Sequence, residues 1–257
     1  MSQSSIEWTQ MTWNPTTGCN KLSPGCKFCY ALTMTKRLEA MGLEKYKNGF
    51  KLTVHPDTLS IPYQWKKPKT VFVNSMSDLF HKDIPLEYLM KVFKVMNDNL
   101  QHTFQILTKR ADVLAKYDLA NLINWTPNIW MGVSVENDRV TERIDFLRNT
   151  RAKIKFLSLE PLIGPLTNLN LKNIDWVIVG GESGFKARPV MKDWIVEIRD
   201  QCKKSRISFF FKQWGKAEFN TDQNDPTIDS KHSQHAKGGC MLNGKTYREL
   251  PLKKTIS

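Results

Sequence analysis

Short runs of β-branched and aromatic residues recur along this chain, separated by stretches of helical spacing. Thr70–Val73, Thr103–Leu107, Ile129–Val133, Ile154–Leu157, Trp176–Val179 and Ile207–Phe211 each read as a strand, and Met11–Trp13 adds a shorter one. Leu86–Leu100 and Val140–Leu147 are among the helical stretches between them. Strands that alternate with helices predict a parallel sheet with right-handed crossovers, because a parallel neighbour is reached only through a long connection. About six to seven such units predict an α/β fold, a partial or complete TIM-like (β/α) barrel; a doubly wound open sheet is the other arrangement that fits. No second domain is indicated, so 1–257 is expected to form one barrel domain. Within it, a polar and aperiodic segment at about 218–237 is expected to be a loop or lid.

Polar residues follow every predicted strand. They are Asn74–His81, Thr108–Arg110, Ser134–Asp138, Ser158–Pro161, Gly180–Gly184 and Lys212–Gly215, at the ends that form the catalytic rim of a parallel barrel. Ser, Asp and Asn also cap the helices that come next, so each stretch has a structural explanation by itself. Six in succession point to a shared site. Asp78, Lys109, Glu136, Glu160 and Lys212 are the catalytic candidates there; Cys240 is a candidate thiol, with a plain core or surface cysteine the favoured reading.

Three cysteines, Cys19, Cys26 and Cys29, fall within residues 19–29, and no fourth lies nearby. Three thiolates are one ligand short of a closed tetrahedral zinc site or a fully ligated iron–sulfur cluster, which leaves a metal position open for chemistry. Gly18, Pro24 and Gly25 let this loop bend sharply. The helical stretch Tyr30–Met41 follows at once, so Cys29 is expected near a helix N-terminus, where the dipole favours a thiolate. A structural zinc knuckle is the alternative. An odd total of five cysteines and no evident signal peptide argue against a disulfide framework, and a reducing cytoplasm is the expected setting. His232 and His235 are spaced for a shared metal, but without nearby partners a solvated pair is the favoured reading.

Charge changes the picture of the partner. The 257 residues carry 38 Lys+Arg against 25 Asp+Glu, a net charge of +13, and no apolar run approaches the roughly 20 residues of a membrane span. Such an excess attracts polyanions and makes nucleic acid the leading partner, with no membrane expected. Aromatics beside the basic clusters, Tyr63, Trp65, Phe209–Phe211 and Trp214, are candidates for stacking unpaired bases; the alternative is a solvated basic surface over core aromatics.

Together these residues carry a resemblance. Three cysteines in the loop after the first strand, an aromatic residue immediately before the third, and a glycine-rich strand end resemble the radical S-adenosylmethionine superfamily. More closely, the chain is similar to a family of uncharacterised, often phage-encoded proteins with a three-cysteine motif. The matching stretches are Thr16–Ala31, Asn74–Phe80, Leu107–Arg110, Gly132–Glu136, Ser158–Pro161, Val179–Gly184 and Phe211–Gly215.

The superfamily resemblance implies that Cys19, Cys26 and Cys29 hold a [4Fe–4S] cluster whose open iron chelates S-adenosylmethionine, and that cleavage yields a 5′-deoxyadenosyl radical. Phe28 matches the aromatic position near the adenine. Asn74, Ser75 and Ser77 end the strand where the superfamily usually places a glycine-glycine-glutamate stretch for the methionine amine; here that stretch comes later, as Gly180, Gly181 and Glu182. The first cysteine spacing is also longer than the superfamily's commonest one. A low-potential electron donor such as flavodoxin or ferredoxin is implied, and a partner protein could complete the site. Charge and chemistry together favour modification or repair of a nucleic acid or nucleotide. The other readings are a peptide-modifying radical enzyme and a non-catalytic iron–sulfur or zinc protein that binds nucleic acid.

Overall fold

A computed structural model describes residues 6–228 and 238–251. The chain divides into two compact units. Met1–Ser23, Cys29–Val133 and Asn149–Ile154 form the first, and Pro24–Phe28, Ser134–Arg148 and Lys155–Ser257 form the second.

In the first unit, β1 (Met11–Trp13) leads through Asn14 and Pro15 to the short β2 (Thr16–Thr17), and the cysteine loop then runs to α1 (Tyr30–Ala40). β3 (Thr53–Val54) pairs antiparallel with β2, holding the root of that loop. Two-residue strands are too short to show a periodicity, so the sequence pattern does not reveal this pair. β4 (Thr70–Val73), α2 (Leu86–Asp98), β5 (Thr103–Thr108), α3 (Ala111–Leu119) and β6 (Ile129–Ser134) follow as strand–helix units. β1 pairs parallel with β4, β4 with β5, and β5 with β6. α2 buries Leu89, Val92, Phe93 and Met96, a stripe at helical spacing that drives its packing. All six residues of β6 are buried, as expected of a parallel strand covered on both faces. α1 buries Ala31 and Thr35, whereas Met41 just beyond it is exposed.

The second unit contains α4 (Glu142–Arg148), most of β7 (Ile154–Leu159), β8 (Trp176–Gly180), α5 (Lys192–Ser205) and β9 (Ser208–Gln213). β7 pairs parallel with β8, and β8 with β9. The tail folds back as a hairpin of β10 (Met241–Leu242) and β11 (Lys245–Thr246), whose turn uses Asn243 and Gly244 at φ of 51° and 72°. The indole of Trp214 donates to the Met241 carbonyl, and the Phe211 amide to that of Tyr247, tying this tail to β9.

Along the seven-stranded sheet the order is β1-β4-β5-β6-β7-β8-β9. This α/β organisation is of the partial (β/α) barrel type, and the unbroken succession sets aside the doubly wound alternative, whose strand order reverses at a switch point. The aromatic clusters resolve as core. Trp65, Phe209, Phe210, Phe211 and Trp214 are buried, and Tyr63, although half exposed, donates its hydroxyl to Asp98. Residues 229–237, with His232, His235 and the later part of the expected polar loop, lie outside the described residues; in the described part, 218–228, Asn220 and Asp225 are buried.

Buried histidines give the first unit a pH dependence. His102 accepts from the Lys69 amide at Nδ1 and packs between Trp65 and Phe104, with ring centroids 5.3 and 6.1 Å away. Burial, with a smaller repulsion from Lys69, holds its imidazole below the ordinary value. Burial does the same for His55 and His81, helped by the charges of Lys45 and Arg110 respectively. The unfolded chain therefore binds more protons than the folded one just below the ordinary histidine value of about 6.5, so stability rises with pH through that window and falls on acidification. Urea midpoints at about pH 7.5 and 5.5 should show the lower stability at the lower pH, with a shallower dependence in His102→Gln; equal midpoints would contradict this account.

Candidate active site

The cysteine loop is rooted in polar contacts with the end of β4. Asn74, in the left-handed region at φ 62°, donates its side-chain amide to Thr16 Oγ1 (2.8 Å) and accepts from the Thr16 amide (3.2 Å). Ser75 Oγ donates to Asn14 Oδ1 (3.2 Å), and Ser77 Oγ to the Gly18 carbonyl (2.6 Å). Gly18 has φ 82°, and a Cβ there would stand 2.2 Å from the Lys51 carbonyl oxygen, so no other residue fits. Cys19, next along, is half-buried. The three strand-end residues that the sequence links to a cosubstrate thus direct these polar groups to the root of the loop.

Asp78, four residues past Asn74, gathers the start of the next strand-end turn. Its Oδ1 accepts from Thr108 Oγ1 (2.7 Å) and the Phe80 amide (3.0 Å); its Oδ2 accepts from the Lys109 amide and from Arg110 Nη1, each at 3.0 Å. Both members of the Asp78–Arg110 pair are about nine tenths buried. The same Nη1 lies 3.5 Å from Cys19 Sγ, and Nη2 donates to the Asn20 carbonyl (3.3 Å). Burial opposes the charge of Arg110, but Asp78 and the Cys19 sulfur outweigh it and raise its pKa. A guanidinium held in this way stabilises negative charge on the sulfur, which is what a metal ligand needs.

In the second unit, Pro24–Cys26 forms a 3₁₀ turn. The Gly25 amide donates to Glu136 Oε1 (3.3 Å), and a Cβ on Gly25 would come within 3.0 Å of that carboxyl carbon. Glu136 is fully buried and accepts at Oε2 from Arg143 Nη1 (2.9 Å), which also donates to the Ser134 carbonyl. Glu160 pairs with Lys212 (2.8 Å) and accepts from Ser158 Oγ (3.3 Å); Gly180 leaves room for it, since a Cβ there would lie 3.0 Å from Oε2. Gly181 packs on the Trp214 carbonyl, where a Cβ would come to 2.1 Å. Glu182 accepts from the Arg188 amide and Nε at Oε2 (3.0 and 2.8 Å) and from Nη2 at Oε1 (2.6 Å). That holds the guanidinium 5.5 Å from the centroid of Phe28, whose ring also has Lys27 Nζ at 5.3 Å.

A common arrangement emerges at these strand ends. Asp78, Glu136, Glu160 and Glu182 each face a cation: Arg110, Arg143, Lys212 and Arg188. The sequence picks out the four carboxylates and Lys212 but misses the three arginines as site residues; an arginine six or seven positions after Glu182 and Glu136 is the only local signal. Lys109 contributes its backbone amide to Asp78. Cys240 belongs to a separate buried cluster, where its amide donates to Thr227 Oγ1 and Asp225 accepts from Asn220 and the Met241 amide. Among the described residues, no three His, Cys, Asp or Glu side chains are grouped as around a single metal ion. A four-iron cluster asks for something different, one thiolate per iron, and three thiols on a glycine- and proline-punctuated loop with a guanidinium at the first suit that donor set.

The profile of a family described as "Protein of unknown function (DUF5131)" matches residues 3–251. The chain belongs to this family. No curated protein matches the chain at a significant level. Among solved structures, a cysteine-to-serine mutant of spore photoproduct lyase is similar with a TM-score of 0.49 and 14% identity, over 92% of this chain and 69% of that one. The lyase complexed with dinucleoside spore photoproduct gives 0.44 and 14%, over 86% and 66%. A double mutant with bound AdoMet and the same dinucleoside gives 0.44 and 12%, over 88% and 67%. The chain thus spans about two thirds of the length of these lyase structures, and the bound molecules are theirs.

The Asp78–Arg110 pair yields a stability prediction for this family member. Asp78→Asn leaves a buried guanidinium without its counter-charge and should cost about 3 kcal/mol or more in urea unfolding. A loss below about 1 kcal/mol would show that Asp78 does not organise this strand end.

Proposed function

We propose that this protein is a radical S-adenosylmethionine enzyme that modifies or repairs a nucleic acid or a nucleotide. The observation that carries the reading is the cysteine loop itself: three thiols within residues 19–29, its root fastened to the end of β4, and the first sulfur contacted by Arg110. Cys19, Cys26 and Cys29 are the ligands we assign to a [4Fe–4S] cluster. When bound, such a cluster supplies one electron for reductive cleavage of S-adenosylmethionine and so gives access to unactivated carbon–hydrogen bonds.

The residues around the loop have distinct parts in this reading. Asn74, Ser75 and Ser77 set the course of the chain into Cys19, and Gly18 admits the turn. Arg110, fixed by Asp78, favours the thiolate at Cys19. Phe28 offers a ring face for the adenine, with Arg188 and Lys27 beside it. Glu182 acts through Arg188, since both of its oxygens already accept from that side chain; Gly180 and Gly181 allow the close approaches of Glu160 and the Trp214 backbone. Glu160 with Lys212, and Glu136 with Arg143, are the groups we assign to substrate-side proton handling and positioning. A low-potential donor of the flavodoxin or ferredoxin kind supplies the electron. The excess of 13 positive charges supports a polyanionic substrate. Among the described residues, no helix is long and apolar enough to cross a membrane; we propose a cytoplasmic setting, where the thiols stay reduced.

The ligand assignment is tested by metal content. After anaerobic reconstitution with iron and sulfide, Cys26→Ala should lose most of its iron. Cys202→Ala should match the parent: Cys202 is fully buried, burial pushes its thiol up to about 12, and its truncation should cost about 1 kcal/mol of stability and no iron. Full iron and sulfide in Cys26→Ala would remove that cysteine from the ligand set, and one zinc per chain in place of iron would favour the structural knuckle.

A further inference from the structure

Of the sequence-suggested stacking aromatics all but Tyr63 are buried, and Tyr63 is engaged with Asp98; at a strand end one phenylalanine stands in solvent. Phe185 is 85% exposed and lies in the loop that leaves β8, directly after Gly184, whose φ of 106° turns the chain there. A single exposed ring is ordinary on a protein surface; what distinguishes this one is the cations around it. Lys216 Nζ lies 5.9 Å from the centroid of Phe185 and 5.6 Å from that of Phe219, an ammonium shared by two rings and oriented by Glu218 at 3.0 Å. Lys186, the next residue along, is exposed as well.

We propose that Phe185, with Lys216 and Lys186, is a stacking platform for an unpaired base of a nucleic acid strand. The ring takes the face of the base, and the two ammonium groups meet the flanking phosphates. A paired duplex covers its base faces, so the platform selects a single strand or an extruded base. The competing occupants fit less well. One ring is far below the roughly 800 Å² per partner of a standard protein interface, and its immediate neighbours are cations in a chain of net charge +13. The proposal rests on the nucleic-acid part of the function above and names the form of the substrate.

Binding requires neither cluster nor cosubstrate, so the full-length protein is tested as purified against a short fluorescein-labelled DNA strand, the same strand annealed to its complement, and the RNA of the same sequence. The parent should bind the single strand more tightly than the duplex, the DNA and RNA arms showing which sugar is preferred. Phe185→Ala and Phe185→Leu should each weaken single-strand binding by about tenfold or more, while Phe185→Trp retains it, because stacking needs an aromatic face. Lys186→Ala should reduce the salt dependence by about one phosphate contact. Unchanged thermal midpoints check that these surface variants are folded. Parent-like affinity in Phe185→Ala, equal binding of strand and duplex, capture of anionic lipid vesicles alone, or no oligonucleotide binding at all would each overturn the platform. Iron uptake is read separately, so failure of the platform and failure of the cluster assignment are distinguishable.

Discussion

The first unit is organised around a carboxylate that would be costly to bury alone. Asp78 is nine tenths buried at the end of β4, and its cost is offset by four donors: the Thr108 hydroxyl, the Phe80 and Lys109 amides, and the Arg110 guanidinium. Because three of these come from the end of β5, satisfying one side chain fixes two strand ends against each other. Arg110 then has donors left over, and it directs them to Cys19 Sγ and the Asn20 carbonyl. A requirement for charge compensation in the interior thereby sets the geometry at the mouth of the cysteine loop.

The second unit repeats the device. Glu136 with Arg143, Glu160 with Lys212 and Glu182 with Arg188 each combine a strand-end carboxylate with a cation. Such pairs contribute little net stability compared with apolar packing, and their value lies in holding polar groups rigid in a poorly hydrated place. The glycines follow from this. Gly25 and Gly180 leave space for carboxylates, and Gly18 and Gly181 for backbone carbonyls, so several positions that read as loop punctuation are contact points.

Much of the fold is legible from the chain because parallel strands covered on both faces must be apolar without interruption. The runs at Ile129 and Trp176 are of that kind, and they fall where β6 and β8 lie. The polar strand ends are legible for the same reason, as abrupt changes of character. Two things are not. The β2–β3 pair is too short for any periodicity, and the partners of the carboxylates lie on a neighbouring turn or several residues downstream, where nothing in a linear pattern marks them. Of the two readings of the basic-aromatic clusters the core one holds at Phe209–Phe211, which form a buried strand, and the exposed ring at Phe185 sits in a loop that aromatic clustering passes over.

The central claim is that the three thiols support reductive cleavage of S-adenosylmethionine. The most direct measurement is product analysis after anaerobic reconstitution and reduction, with the cosubstrate added. The account predicts release of 5′-deoxyadenosine and an electron paramagnetic resonance signal that shifts when S-adenosylmethionine is added. No 5′-deoxyadenosine and a signal indifferent to the cosubstrate, from protein that has taken up its full iron, would contradict it.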